Sequence, residues 1–277
     1  MANTEYPVLF VGAGPGDPEL ITLKGKRALE EADLVLYAGS LVNEALLDYC
    51  SPGCVTADSS PLSLEEQMAL VAAKVREGGR VVRLHTGDPS LFGAVAEQKE
   101  RLESLGIEVR FIPGVSSFQA AAAALGIQYT VPGGSQTVVC TRRSGRTPVP
   151  PRENLRLLAE HGATMVVFLS ADQAEEVSAD LQAGGFSAET PAACVYRASW
   201  EDEKTIVSTL GALPSLMAEH GITRHALIVV GECVESHGAR SLLYSPHFAH
   251  GARDAAPEQS DEERTLASSE GFCEAPL

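Results

Sequence analysis

Between Pro7 and Ile112, short apolar or β-branched runs alternate with longer helix-like stretches, which is the rhythm of a sheet with crossover helices. The runs are Pro7–Gly12, Leu34–Tyr37, Gly53–Thr56, Arg80–His85 and Glu108–Ile112. Helices are predicted at Pro18–Ala32, Ser63–Glu77 and Ala94–Leu105, with another opening near Ser116. In the second of these, Leu64, Met68, Val71 and Val75 recur at helical spacing, and Gly78-Gly79 supplies the stop. Residues 1–125 therefore read as a mostly parallel, five-stranded α/β domain.

Residues 126–135, with Pro132, Gly133 and Gly134, lack helical periodicity and read as a linker. A second α/β domain follows at 136–235. Its strands are expected at Thr137–Thr141, Thr164–Leu169, Ala192–Tyr196, Lys204–Ser208 and His225–Val230, and its helices near Asn154–His161, Gln173–Ala183 and Leu213–His220. Residues 236–277 are rich in Ala, Ser, Glu and Asp with little periodicity, and are expected to be a largely disordered tail.

A chain of 277 residues is long enough to bury two modest cores. Its net charge of −16 opposes nucleic acid or an anionic membrane as partner. No run approaches a membrane span, and the start lacks the pattern of an export signal. Six cysteines scattered mostly through apolar runs suit reduced thiols, so a cytoplasmic location is expected. Basic residues concentrate in one place: Arg142, Arg143, Arg146, Arg152 and Arg156 are opposed locally by Glu153 alone.

Three loops could carry chemistry. Gly12-Ala-Gly-Pro-Gly-Asp17 follows the first strand, where glycines let backbone amides approach a ligand. A dinucleotide fingerprint fails on spacing: the third glycine comes one residue early, Asp17 would repel a pyrophosphate, and no carboxylate ends the second strand. His85-Thr-Gly-Asp-Pro-Ser-Leu-Phe-Gly93 lies at the carboxyl end of the fourth strand, where open α/β sheets bind ligands. Pro113-Gly-Val-Ser-Ser117 repeats that logic one strand later, with Ser116 or Ser117 placed to cap a helix or hold a ligand. Each of the three also has a purely structural reading, as a tight turn or, for the last, as a helix cap. His85 reads as a hydrogen-bonded structural residue or as a base. Cys50 and Cys54 lack a second pair, and His237, His247 and His250 lie in the tail, so no metal site is expected. Neither a nucleophile elbow nor a Walker lysine loop is present, which leaves hydrolase and phosphotransferase readings without a motif.

In order along the chain, Val-Gly-Ala-Gly-Pro-Gly-Asp-Pro-Glu-Leu-Ile-Thr22, Tyr-Ala-Gly-Ser-Leu-Val42, Gly-Asp-Pro-Ser-Leu-Phe-Gly93, Pro-Gly-Val-Ser-Ser117 and Ala-Leu-Ile-Val-Val-Gly231 resemble the tetrapyrrole methylase family. Tyr37–Val42 and Tyr129–Thr137 most resemble its branch acting on precorrin-4, or cobalt-precorrin-4, at carbon 11 in cobalamin synthesis. A sister activity on another ring carbon (of precorrin-2, precorrin-3 or uroporphyrinogen III) is the alternative. The resemblance implies two α/β domains, each with a mixed, mostly five-stranded sheet flanked by helices, in a homodimer with S-adenosylmethionine in the interdomain cleft. Carried over residue by residue, cofactor contacts fall on Gly87, Asp88, Leu91, Phe92, Ser116 and Ser117, and on Leu169, Tyr196, Ala198 and Ala226 of the second domain. Gly14, Pro15, Gly16 and Asp17 would face the tetrapyrrole. Its carboxylate arms call for cationic donors, and Arg142 and Arg143, with Lys24, Lys26 or Arg27 as helpers, are the expected grip. Gly134 departs from the family, which carries a branched apolar residue there. Methyl transfer to an electron-rich ring carbon is chiefly a matter of orienting two substrates, in keeping with the lack of a triad or acid pair.

Overall fold

The computed structural model describes residues 6–39, 41–235, 241, 245, 248–249, 251 and 253–254. The expected disordered tail falls almost wholly outside the described residues, as do His237, His247, His250 and Cys273.

The first sheet contains β1 (Val8–Gly12), β2 (Leu34–Tyr37), β3 (Val55–Asp58), β4 (Val81–His85) and β5 (Val109–Ile112), in the order β3-β2-β4-β1-β5. Every pairing in it is parallel, so this sheet is uniform rather than mixed. Its helices are α1 (Leu23–Glu30), α2 (Leu64–Arg76) and α3 (Val95–Ser104). α2 begins at a capping box in which Ser63 and Glu66 exchange hydrogen bonds, a device worth about 1 kcal/mol. It buries Met68, Val71, Ala72 and Val75 against Val8, Phe10, Leu34 and Leu36, and each large side chain so buried contributes roughly 1.5–3 kcal/mol. α1 covers the other face, against Val11, Val35, Val82 and Leu84.

The first predicted helix is broken in two. Asp17 caps a 3-10 turn at Pro18–Leu20, and α1 starts afresh at Leu23, where the Thr22 hydroxyl accepts from the Gly25 amide. A second 3-10 segment, Glu44–Tyr49, was not legible as periodicity. β3 lies two residues later than expected, because the chain turns at Pro52-Gly53 before pairing with β2.

The second sheet contains β6 (Val138–Arg142), β7 (Thr164–Phe168), β8 (Pro191–Tyr196), β9 (Lys204–Thr209) and β10 (Ala226–Val230), in the order β6-β7-β10-β8-β9. Only β6 and β7 run parallel, so this sheet is mixed. Helices α5 (Leu155–Ala159), α6 (Ala174–Ala183) and α7 (Leu213–Glu219) cover one face.

The sequence predicts that the remaining helix, α4 (Ser117–Leu125), closes the first domain. It packs instead on the free face of the second sheet, where Ala120 and Ala121 meet Val166, Phe168, Val195, Leu227 and Val229. The linker joins the same cluster: Tyr129 and Val131 are buried in it, and the Tyr129 hydroxyl donates to the Phe118 carbonyl at 2.6 Å. Its row of alanines allows that close approach. Gly134 sits in the linker turn, where a Cβ would meet the far end of the flexible Glu232 side chain at 2.9 Å, so the backbone there does not demand glycine.

Candidate functional site

β1 and β4 are neighbours whose chains leave in opposite directions, β1 toward β2 and β4 toward β5. Such a switch point opens a crevice at the carboxyl ends of the strands. The loops that edge it are packed backbone on backbone. A Cβ on Gly12 would lie 2.6 Å from the Gly114 Cα and from the Gly87 carbonyl oxygen, and one on Gly114 would lie 2.3 Å from that same oxygen. Gly14 and Gly87 also exchange amide hydrogen bonds at 3.2 and 2.9 Å. The Asp88 carboxylate ties the third loop in, accepting from the Gly114 amide at 2.8 Å and from the amide and hydroxyl of Ser90. Burial acts to raise its pKa, but these hydrogen bonds outweigh burial and hold the group below the usual carboxylate range.

The crevice widens into a cleft of about 900 Å³ between the two sheets. Gly87, Asp88, Leu91, Phe92, Ser116 and Ser117 line its first-domain wall. Leu169, Tyr196, Ala198 and Ala226 line the opposite wall, so the ten residues carried over as cofactor contacts share one cavity. Ser116 precedes α4, but its hydroxyl makes no capping bond. Backbone strain gathers here too. Phe92, Leu169, Arg197 and His225 line the cleft with φ between 47° and 55°, and nearby Ser199 has φ 69°. A non-glycine residue in the left-handed region costs about 1–2 kcal/mol, and such strain concentrates at functional sites.

Three pins join the walls. Phe92 meets Phe168 with ring centroids 5.1 Å apart. The Asp17 amide donates to the Ser199 hydroxyl at 3.0 Å. The Trp200 indole donates to the Pro15 carbonyl at 3.0 Å, and its ring fills the space where a Gly16 Cβ would lie. Arg197 stacks on that ring, 4.1 Å from its centroid, and pairs with Asp202. Of the loop expected to face the substrate, Pro15 lines the cleft, while Gly14, Gly16 and Asp17 brace its edge.

Arg142 and Arg143 are engaged elsewhere. Arg142 donates to the carbonyls of Thr147 and Pro148, closing its own loop. Arg143 pairs with Asp180 at 2.8 Å and donates to Gln173. Neither lines the cleft, because β6 is the edge strand of the second sheet and its carboxyl end turns toward α6. Lys24, Lys26 and Arg27 do not line it either. The cations among the described residues that line the cleft are Arg83, Arg197 and Arg224, and two histidines, His85 and His225, line it beside them. The sequence offered two faint signals for them: Trp200 is the single tryptophan, and His85 opens the Gly-Asp-Pro loop.

His85 is not the hydrogen-bonded structural histidine that a strand end suggests. It is 4% exposed and its Nε2 is buried without a partner among the described residues. Burial first, and then the Arg83 charge, push its pKa down to about 3, so it is neutral at physiological pH. Among the described residues no cluster of three or more His, Cys, Asp or Glu side chains is arranged to hold a metal. Nor is any described helix long and apolar enough to cross a membrane.

Two five-stranded α/β units that meet at a glycine-edged cleft beside a switch point define a two-unit, layered α/β architecture with its cavity between the sheets. The chain belongs to the tetrapyrrole (corrin/porphyrin) methylases, whose family model matches residues 7–214. It is 50% identical over 244 residues to a cobalt-precorrin-4 C(11)-methyltransferase of Methanocaldococcus jannaschii, covering 88% of this chain and 94% of that protein. A solved cobalt precorrin-4 methyltransferase of cobalamin biosynthesis superposes with TM-score 0.82 at 41% identity, covering 85% of this chain and 98% of the other. A uroporphyrin-III C-methyltransferase of Thermus thermophilus, solved in complex with S-adenosyl homocysteine, matches with TM-score 0.69 at 32% identity over 82% of this chain and 98% of its own.

Proposed function

We propose that this chain transfers a methyl group from S-adenosylmethionine to carbon 11 of precorrin-4 or cobalt-precorrin-4 in cobalamin biosynthesis, acting as a homodimer. The observation that carries the methyl-transfer reading is the single 900 Å³ cavity lined by the ten residues that the motifs assign to the cofactor. The choice of ring carbon rests on the similarity to precorrin-4 enzymes.

The lining fits the cofactor. Gly87 allows close backbone approach, the uncapped Ser116 hydroxyl and the first amides of α4 suit polar groups of the ligand, and Phe92 and Leu169 suit a flat base. Ala198 and Ala226 leave room beside Tyr196. When bound, S-adenosylmethionine supplies an electrophilic sulfonium methyl.

The protein's contribution is orientation. The glycine-locked loops hold one wall fixed, and the Phe92–Phe168, Asp17–Ser199 and Trp200–Pro15 contacts hold the other wall against it. Fixing two reactants in line converts an encounter into a unimolecular step, an effect worth roughly 7–11 kcal/mol at its best. The strained residues at the rim are the stability that this geometry costs.

The test is incubation of the purified protein with S-adenosylmethionine and precorrin-4, with and without inserted cobalt, followed by mass spectrometry and carbon-13 location of the new methyl. A methyl on carbon 11 is the expected result. A methyl on another ring carbon would reassign the step, and cofactor binding without transfer to either macrocycle would remove the assignment.

A further inference from the structure

Arg83 and His85 flank Leu84 on β4, so their side chains leave the same face of the sheet. They are 5% and 4% exposed, and both line the cleft. The Arg83 guanidinium donates to Gln98 Oε1 at 3.1 Å, to the carbonyls of Leu36 and Leu84 at 3.2 and 3.3 Å, and to Gln67 Oε1 at 3.4 Å. All four acceptors are neutral, and among the described residues no carboxylate lies within ion-pair distance of it. Asp58, whose charge reaches Arg83, is committed to the amides of Gly39 and Ser60 and the Ser60 hydroxyl. Beside it, the His85 ring packs at 5.2 Å from Phe10 and hydrogen-bonds to none of the described residues.

Buried charges are normally paired, and buried ring nitrogens are normally hydrogen-bonded. Here two adjacent groups on the wall of a ligand cleft break the rule, Arg83 as a charge without a counter-charge and His85 as a ring nitrogen without a partner among the described residues. The missing partner is an anion with acceptor oxygens. Since no hydrogen bond fixes the His85 tautomer, the neutral ring can present its N–H from whichever nitrogen faces that partner.

A carboxylate could come from the macrocycle or from the amino-acid end of the cofactor. Gly87 and Asp88 of the cofactor wall follow His85 within three residues, so the choice turns on Arg83, whose direction favours the macrocycle. Arg83 reaches the β2 backbone, whereas Ser116 and Ser117 follow β5, which is separated from β4 by β1. Building on the tetrapyrrole reading above, we propose that Arg83 and His85 seat one carboxylate arm of the macrocycle and so fix its rotation in the cleft. In an acidic protein this gives a polycarboxylate a preferred landing point, and it makes an acceptor lacking that arm a poor ligand.

Trp200 is the single tryptophan and lines the cleft, so its fluorescence reports occupancy without turnover. The probe is uroporphyrin, an octacarboxylate, titrated into the wild type, His85→Phe and His85→Gln, with S-adenosylhomocysteine binding measured in parallel by calorimetry. Phenylalanine fits beside Phe10 but cannot donate, and glutamine restores an N–H. The expected result is about tenfold weaker porphyrin binding for His85→Phe and largely restored binding for His85→Gln, with S-adenosylhomocysteine affinity unchanged in both. Equal porphyrin affinity in all three proteins overturns the seat. Loss confined to S-adenosylhomocysteine also overturns it, by giving the site to the cofactor's carboxylate. A wild type that binds S-adenosylhomocysteine but no porphyrin overturns the tetrapyrrole reading itself, and the seat with it.

Discussion

The two walls of the cleft are built by opposite means. On the first domain's side the chain removes side chains: Gly12, Gly87 and Gly114 let three loops touch through their backbones, above a sheet in which every pairing is parallel. On the second domain's side it keeps side chains and takes most of the backbone strain, holding Leu169, Arg197, Ser199 and His225 at positive φ above a mixed sheet, against Phe92 and Ala94 on the first. The first wall is rigid because nothing else fits. The second displays groups for ligand contact and carries the strain of doing so.

The largest expected effect lies in the glycine wall. Gly114→Ala drives a Cβ into the Gly87 carbonyl, and neither partner is a side chain that can swing away. We expect a loss of about 3 kcal/mol in urea denaturation, with cofactor binding abolished. A loss below about 1 kcal/mol would mean that the loops can separate, and would erase the contrast between the walls.

The next effect is pH-dependent and belongs to the buried floor. His85 takes up a proton at about 3 in the folded state and near the ordinary histidine value of 6.5 when unfolded. Between those values the unfolded chain binds more protons, so stability is full above pH 6.5 and falls with acidity toward pH 3. From pH 6.5 to about 4.5 this group should remove about 2 kcal/mol, and His85→Gln should flatten that limb of the melting-temperature profile. Parallel profiles for the two proteins would show that the histidine is not held neutral.

Smaller, and opposite in sign, is the effect expected of Leu169→Gly. Leu169 is 62% exposed with φ 50°, so removing its side chain sacrifices little burial and relieves left-handed strain. A gain of about 1 kcal/mol in stability, together with weaker S-adenosylhomocysteine binding, would sharpen the comparison. Stability lost along with affinity would show that the strain is absent.

The smallest effect is expected at Arg143. Its ion pair with Asp180 is partly exposed, so Arg143→Gln should cost less than about 1 kcal/mol and leave porphyrin titration unchanged. Weakened porphyrin binding would return this arginine to the substrate.

What the sequence made legible was local. The motifs Gly12–Asp17, His85–Gly93 and Pro113–Ser117 announce strand-to-ligand turns because glycine and proline constrain the chain within a few residues. The helix starting at Ser116 was equally plain, but not its lodging on the second sheet, since an alanine-rich helix carries no mark of which sheet it meets. Arg142 and Arg143 misled because clustering in sequence says nothing of Thr147, Pro148 or Asp180 as partners. Trp200 reaches Pro15 across 185 positions, a contact that only the closed pair of domains creates.

The place of β1 also bears on how the chain must be made. β1 has two partners, β4 and β5, that begin only at Val81 and Val109, while β2 and β3 can already pair with each other. Throughout that interval of synthesis the apolar segment Val8–Gly12 has no sheet to enter. The nascent protein therefore carries an unpaired, aggregation-prone strand until β4 is made and a half-open one until β5 follows, and conditions that slow translation before His85 prolong that exposure.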